Sequence, residues 1–566
     1  MSDYTLGGMD EIETAELRGL HAEVLANPDD YEAWQKLVAG AEALEGGLNR
    51  NSNPQSIKDA RQVYDRFLAK FPLFFGYWKK YADLEFAIAG TEAAEMVYER
   101  GVASIGISVD LWANYCAFKV ETNHDQDMIR ELFERGAASV GLDYLAHPFW
   151  DKYIEFEERF EAHDKVFALV SRVMKIPMHQ YARYFDKYRT LCATRPVTEL
   201  APPEILAAFQ AEVQRDPALH GHGELEIERA LRARLDQYHI EVFNNTQVET
   251  TKRWTYEQNI KRPYFHVTEL DDEQLENWHK YLDFEESEGD YTRIAFLYER
   301  CVVTCAQYDD FWTRYVRWMY AQEGHDEEVR NIYQRASCLY VPIAKPAIRV
   351  MWALFEEMSG RPSIASAIYE AILISLPGHL EAVIGLANLQ RRQVGHEAAM
   401  QVYQHYISGS DCAHEIKGAL VASMASLAYK AKADAEQARA LFRDNSQKYL
   451  DSQSFWDGYL GFEMSQPTTT ENEEQQYHLI KAVHDDIRRK SQLSPEVVKG
   501  LSQKYMTYLT ERSDQGVAQE YLDLDAEVNG PLSIIPTMRA KGAAMAKAGS
   551  FTLPLGTASN EHVSSS

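Results

Sequence analysis

The chain has 566 residues, a formal net charge of −28, six cysteines, 33 tyrosines and 10 tryptophans. That charge argues against a general nucleic-acid footprint, which should be basic, and favours solubility and basic protein partners. The first thirty residues lack a targeting signal's order, no apolar run approaches the roughly 18 residues a bilayer span needs, and the cysteines are scattered. A soluble, intracellular chain in a reducing compartment is expected, with no membrane contact.

In chain order, Met1 to Asp10 is expected to fray and Glu11 to Ala26 to form a first helix. Tyr31 and Trp34 open a degenerate repeat, interrupted by the polar loop Gly46 to Pro54. Its second helix is predicted over Ile57 to Phe71 and carries Val63-Tyr64-Asp65-Arg66. Pro72 stops it. From there a helical hairpin recurs. Trp78, Tyr81 and Leu84 precede Glu85, and Val97-Tyr98-Glu99-Arg100 closes the copy. Trp112, Tyr115 and Phe118 lead to Leu132-Phe133-Glu134-Arg135. Trp150, Tyr153 and Phe156 precede Glu157, and Val170-Ser171-Arg172 follows. Residues three apart share a helix face, so each first helix carries an aromatic stripe.

After Pro177 the rhythm changes. Tyr181, Tyr184 and Tyr188 suggest the first helix of a fifth repeat. A loop, Thr190 to Pro203, a short helix, Glu204 to Arg215, and a second loop, Asp216 to Gly223, follow. Glu224 to about Ile260 reads as one long helix joining two solenoid blocks. The second block opens with the clearest copy: Trp278, Tyr281, Phe284 and Glu285, then Leu297-Tyr298-Glu299-Arg300. Trp312, Tyr315 and Trp318 repeat it, as do Trp352, Phe355 and Met358. Weaker copies lie around Leu380 to Tyr403 and His414 to Tyr449. Trp456, Tyr459, Phe462 and Glu463 restore the motif. Gln475 to Lys490, Pro495 to Arg512 and Val517 to Val528 are predicted helices. From Gly530 on, the Ala-, Gly-, Ser- and Thr-rich chain has little to bury, and disorder is expected.

Neighbouring tryptophans stand roughly 34 to 44 residues apart, the range of two-helix solenoid repeats. The fold expected is therefore all-α: an α-solenoid of helical hairpins. It divides into an N-terminal block (1–188), an insertion and connecting helix (189–262), a C-terminal block (263–530) and a tail (531–566). Trp78, Tyr81, Trp112, Tyr115, Trp150, Tyr153, Trp278, Tyr281, Trp312, Tyr315, Trp352 and Trp456 are assigned to the repeat core. Exposed aromatics would stack on single-stranded bases. This stripe faces a partner helix in an acidic chain, so it is read as packing.

A carboxylate on a packing face needs a partner. The arginine closing the second helix is the candidate within each hairpin: Glu85 with Arg100, Glu157 with Arg172, Glu285 with Arg300. Cys301 and Cys305 stand one helical turn apart without further ligands at metal spacing, and His220 and His222 lie in a glycine-containing loop. The short basic clusters Lys252-Arg253, Lys261-Arg262 and Arg488 to Lys490 read as solvated faces or helix-terminal charges. No phosphate-binding loop, dinucleotide fingerprint, zinc-protease or nucleophile-elbow motif occurs. No catalytic residue, cofactor or metal is assigned. At the C-terminus, Leu501, Tyr505, Tyr508 and Leu509 form one apolar stripe and Tyr521 and Leu522 continue it. A solenoid's last repeat needs a cover, so these six are assigned to a dimer interface. The alternative is that they fold back onto the Trp456 repeat.

The Trp-x-x-Tyr-x-x-Phe-Glu helix followed by Tyr-Glu-Arg resembles the half-a-TPR (HAT) repeat of RNA-processing scaffolds. FPLFFGYWKKYADLE, VYERGVASIGISVDLWANYCAFK, HPFWDKYIEFE and IKRPYFHVTELDDEQLENWHKYLDFEE resemble the pre-mRNA-processing factor 39 family over roughly residues 20 to 525. The RPYFHV stretch is the most specific piece. The resemblance implies a nuclear, non-catalytic scaffold of the U1 small nuclear ribonucleoprotein. Such a scaffold acts in 5′ splice-site recognition, holds U1 proteins and recruits splicing factors. It also implies pairing with itself or a paralogous HAT-repeat protein through the C-terminal end, with mostly indirect RNA contact. The alternatives are a HAT-repeat scaffold of mRNA 3′-end cleavage and polyadenylation, or a direct RNA-binding solenoid.

Overall fold

The computed structural model describes residues 11–215, 223–410, 412–432, 434–469, 471–512 and 516–530. The expectations for residues 1–10, for His220 and His222 and for the tail from 531 lie outside them. The described residues form an all-α solenoid without strands. Two compact units part between Val341 and Pro342.

In the first unit, helices pair as hairpins. Tyr31–Ala43 pairs with Pro54–Lys70, Phe75–Ala89 with Thr91–Ser104, Val109–Thr122 with Gln126–Val140, and His147–Arg159 with His163–Val173. Asp272–Glu288 with Tyr291–Thr304 and Asp309–Tyr320 with Asp326–Arg335 complete the series. The turns explain why the hairpins are tight. Gly289 sits at φ 79°, a left-handed conformation that favours glycine, and Asp290 then accepts from the amides of Thr292 and Arg293 as an N-cap. Between hairpins the backbone approaches closely. A Cβ on Gly136 would lie 2.6 Å from the Phe149 ring, so only glycine fits behind Arg135.

The long helix runs Glu224–Glu257. It is the second helix of the interrupted fifth repeat, whose first helix is Tyr181–Cys192. Phe185 and Phe243 stack at 4.5 Å, and Tyr188 meets His239 at 3.1 Å. Its last turns are bound to the Trp278 repeat, which is why residues from 263 to Val341 belong to the same compact unit as the N-terminal repeats.

The second unit repeats the scheme with Ala347–Met358, Pro362–Ser375, Leu380–Gln393, His396–Ser408, His414–Lys432 and Ala435–Asn445. Gln453–Met464, Glu473–Arg489, Pro495–Thr510 and Val517–Asn529 end it. Around Tyr369 its core is rich in alanine: Ala353, Ala365, Ala382, Ala387 and Ala399 are fully buried, allowing close helix approach.

Candidate functional site

Within the first unit the repeat signature resolves into one contact set that links successive hairpins, and it recurs at Trp456 in the second. Trp78, Tyr81, Trp112, Tyr115, Trp150, Tyr153, Trp278, Tyr281, Trp312 and Tyr315 are at most 4% exposed, and Trp456 is fully buried. The indole N–H groups of Trp34, Trp78, Trp112 and Trp312 donate to the carbonyls of Pro28, Pro72, Gly106 and Ala306 at 2.8–2.9 Å. Each tryptophan thus pins the loop that precedes its own helix. Each tyrosine stacks on the aromatic residue closing the previous hairpin: Tyr64 on Tyr81 at 4.7 Å, Tyr98 on Tyr115 at 5.0 Å, Tyr256 on Tyr281 at 5.0 Å and Tyr298 on Tyr315 at 4.7 Å. Trp352 departs from this core. It is half-buried, its indole donates to Glu356 on its own helix at 3.0 Å, and Ala353 and Phe355 take the interior.

The ion pairs are not those expected within each hairpin. Glu85 accepts from Arg61 at 2.6 Å, Glu157 from Arg130 at 2.7 Å and Glu285 from Arg253 at 2.7 Å, each arginine lying on the preceding second helix. Glu463 accepts from Arg439 in the same way. Arg100, Arg172 and Arg300 instead reach back to Asp65 at 2.9 Å, Glu134 at 2.8 Å and Glu257 at 2.5 Å. Antiparallel geometry is the reason. The closing arginine lies beside the tryptophan that starts the first helix, with Arg100, Arg172 and Arg300 5.5, 5.1 and 5.8 Å from the rings of Trp78, Trp150 and Trp278. The glutamate is two helical turns, about 10 Å, further along.

The acids before Arg100 and Arg300, Glu99 and Glu299, are the junctions. Glu99 accepts from Tyr115 at 2.7 Å and from Arg135 at 2.9 Å, both in the next hairpin. The Arg135 hydrogen bond holds its carboxyl below the usual range against the opposing effect of burial. Glu299 repeats this with Tyr315 at 2.9 Å and Arg335 at 2.7 Å. Burial pushes the Tyr115 and Tyr315 hydroxyls well up, and the neighbouring carboxylates add to it. Charge-assisted bonds of this kind are short and strong.

One rung is reversed. At the position of Glu85 and Glu157 the third hairpin carries Lys119, and it donates to Glu95 at 2.7 Å, at the place that Arg61 and Arg130 take on the neighbouring second helices. Both swapped residues keep the twenty-four-residue separation seen for Arg61 and Glu85. Sequence reasoning missed these partners, although a signal existed. Arg61, Arg130, Arg253 and Arg439 each stand three residues before Tyr64, Phe133, Tyr256 and Phe442.

The ladder is densest where the long helix ends. Arg300, Glu257 and Asp143 are all buried, with Arg300 Nε 3.1 Å from Asp143 and Tyr281 donating to Glu257 at 3.0 Å. Burial raises the Asp143 carboxyl, opposed by the Arg300 charge. Burial disfavours the Arg253 charge, but Glu249 and Glu285 prevail and the net shift is upward. Beside this cluster the RPYFHV stretch crosses the first hairpins, with Phe265 5.3 Å from Phe74 and His266 5.7 Å from Tyr31. These groups are consumed by structure, and none is placed as a nucleophile with an adjacent base.

The six C-terminal residues assigned to a dimer interface divide. Leu501, Tyr505 and Leu509 are buried in one core with Trp456, Phe455 and Ile480, and Tyr508 and Tyr521 pack partly against it. Leu522 alone of the six is exposed. The stripe is covered by its own chain, because Gln453–Met464 and Glu473–Arg489 supply the apolar face it needs. Cys301 and Cys305 are buried free thiols. Among the described residues, no group of three or more His, Cys, Asp or Glu side chains is arranged to hold a metal, and no helix is long and apolar enough to cross a membrane.

The PRP39 N-terminal HAT repeat family matches residues 18–190 and the PRP39 C-terminal HAT repeat family residues 251–392. Pre-mRNA-processing factor 39 of Schizosaccharomyces pombe is 50% identical over 522 residues, covering 90% of this chain and 85% of that protein. The human protein of the same name is 33% identical over 66% of this chain, which spans 56% of its length. The U1 small nuclear ribonucleoprotein component PRP42 of Saccharomyces cerevisiae is 21% identical over 52% of this chain and 55% of its own. The crystal structure of CstF-77 aligns with a TM-score of 0.48 and 12% identity, covering 80% of this chain and 95% of that one.

Proposed function

Because the chain belongs to the pre-mRNA-processing factor 39 family, we propose that it is a non-catalytic scaffold of pre-mRNA splicing. It works in the nucleus with the U1 small nuclear ribonucleoprotein, where it supports 5′ splice-site recognition and brings in splicing factors. The observation that carries this reading is the 50% identity to the fission-yeast protein over 90% of the chain. The name of the budding-yeast relative, a U1 component, points the same way. The ladder suits the role: within the first unit it fixes hairpins to their neighbours and leaves their outer faces free for partners. RNA contact is mostly indirect, in keeping with the charge of −28. The chain pairs with itself or a paralogous HAT-repeat protein. Of the C-terminal stripe, Leu522 and the flanks of Tyr508 and Tyr521 are left for that contact.

Affinity purification of the full chain from nuclear extract tests the proposal. Recovery of U1 proteins and U1 RNA is expected. Recovery of cleavage and polyadenylation factors without U1 would overturn it.

A further inference from the structure

The reversed rung changes the surface of the hairpins that carry it. On the second helices of the hairpins before and after it, this position carries a guanidinium, Arg61 and Arg130. On Thr91–Ser104 it carries Glu95, in line with Glu92 and Glu99. A groove of about 490 Å³ opens between this helix and Gln126–Val140, and the Glu99–Arg135 pair ties the two helices together along it. Two methionines stand in the groove with nothing over them: Met96 is 68% exposed and Met128 51% exposed. Glu92 and Glu131 line the same groove, both exposed and both outside any ion pair among the described residues.

We propose that this groove is a docking site for a lysine- or arginine-bearing amphipathic helix of a partner protein. Two unbranched, polarisable side chains on facing helices accept an apolar helix stripe with little demand on its exact shape. The free carboxylates of Glu92 and Glu131 meet the cations beside that stripe. The swap adds to the complementarity: Arg100, Lys119 and Arg135 also line the groove, but each is paired with a carboxylate, so Glu92 and Glu131 set its unpaired charge, and arginine in place of Glu95 would put a further cation beside them. Nucleic acid is repelled by the same charges. The proposal rests on the scaffold reading only for the existence of a partner, and it adds the partner's chemistry and where it sits.

The test uses the full chain and an 18-residue amphipathic peptide of leucine and lysine, with a twin in which glutamate replaces lysine. Binding is read by fluorescence anisotropy, and circular dichroism checks the fold of each variant. The lysine peptide is expected to bind and the glutamate twin to bind at least tenfold more weakly. Combined Glu92→Lys and Glu131→Lys substitution weakens the lysine peptide at least tenfold. Combined Met96→Ser and Met128→Ser substitution weakens it at least fivefold. Glu224→Lys with Glu226→Lys, a charge change of the same size on the long helix, alters it less than twofold. An equal loss in that control would show mere attraction to an acidic chain and overturn the proposal. So would indifference to the methionine pair, absence of binding, or competition by a uridine oligonucleotide. The peptide assay decides the groove without U1, whereas extract purification decides the scaffold, so the two can fail separately.

Discussion

Arg130 and Glu157 form the normal rung that follows the reversed Lys119–Glu95 rung, and exchanging their charges tests the ladder directly. Glu157 is 1% exposed and takes two bonds from Arg130, at 2.7 and 3.0 Å. Glu157→Lys alone removes both acceptors and adds a second cation in a dry site. Breaking a buried pair from one side costs about 3–5 kcal/mol. Arg130→Glu alone sets two carboxylates together and costs about the same. The double exchange restores a pair of the kind already present at Lys119 and Glu95, so most of the loss of either single variant returns. A residual cost of about 1–2 kcal/mol is expected. Lysine lacks the planar fork of arginine, and the cation 5.7 Å from the Phe156 ring is lost.

Hydrogen exchange of the amides in residues 126–173 is the assay, because it reads local opening without assuming that a two-unit chain unfolds in one step. The reasoning is refuted if the double variant is no more protected than the poorer single variant. A partner for Glu157 on its own hairpin, at Arg172, would give that result.

Two further outcomes follow from the same geometry. Trp112→Phe loses the hydrogen bond to Gly106, whereas Trp278 and Trp456 hold no indole acceptor among the described residues, so Trp112→Phe should cost about 1 kcal/mol more than Trp278→Phe in exchange of the adjoining helices. His484 is buried against Tyr505 and Ser502, and burial, with Arg488 nearby, lowers its pKa from 6.5 to about 4. The folded state therefore binds fewer protons than the unfolded state between those values. Stability is complete above pH 6.5 and falls as pH drops towards 4, by on the order of 3 kcal/mol at most. His484→Gln should flatten that slope in the protection of Pro495–Thr510, and an unchanged slope would assign it to other groups.

The tryptophan and tyrosine positions were legible because a packing face repeats with the helix and each repeat copies it. The partners of the charges were not, because spacing within one hairpin carries no information on bonds that cross to the neighbour. The arginine three residues before Tyr64, Phe133, Tyr256 and Phe442 was visible in the sequence, but it gained meaning only once Tyr256 and Glu257 proved to end a second helix rather than a connector. The C-terminal stripe misled for a different reason. Periodicity shows that Leu501, Tyr505 and Leu509 share an apolar face; it carries no information on what covers that face.

The reversed rung also bears on how such an array diversifies. A pair buried between two hairpins depends on both members being present and opposite, and much less on which side carries which sign. Lys119 and Glu95 keep the spacing of Arg61 and Glu85 and still close the joint at 2.7 Å. The exposed end of the pair is a different matter. Arg61 and Glu95 occupy equivalent places on their second helices, with side chains 40% and 25% exposed, so their sign reaches solvent. Exchange of a rung therefore leaves the joint intact and inverts the surface above it. A scaffold built from near-identical hairpins needs such a device, since packing alone would give every groove the same character.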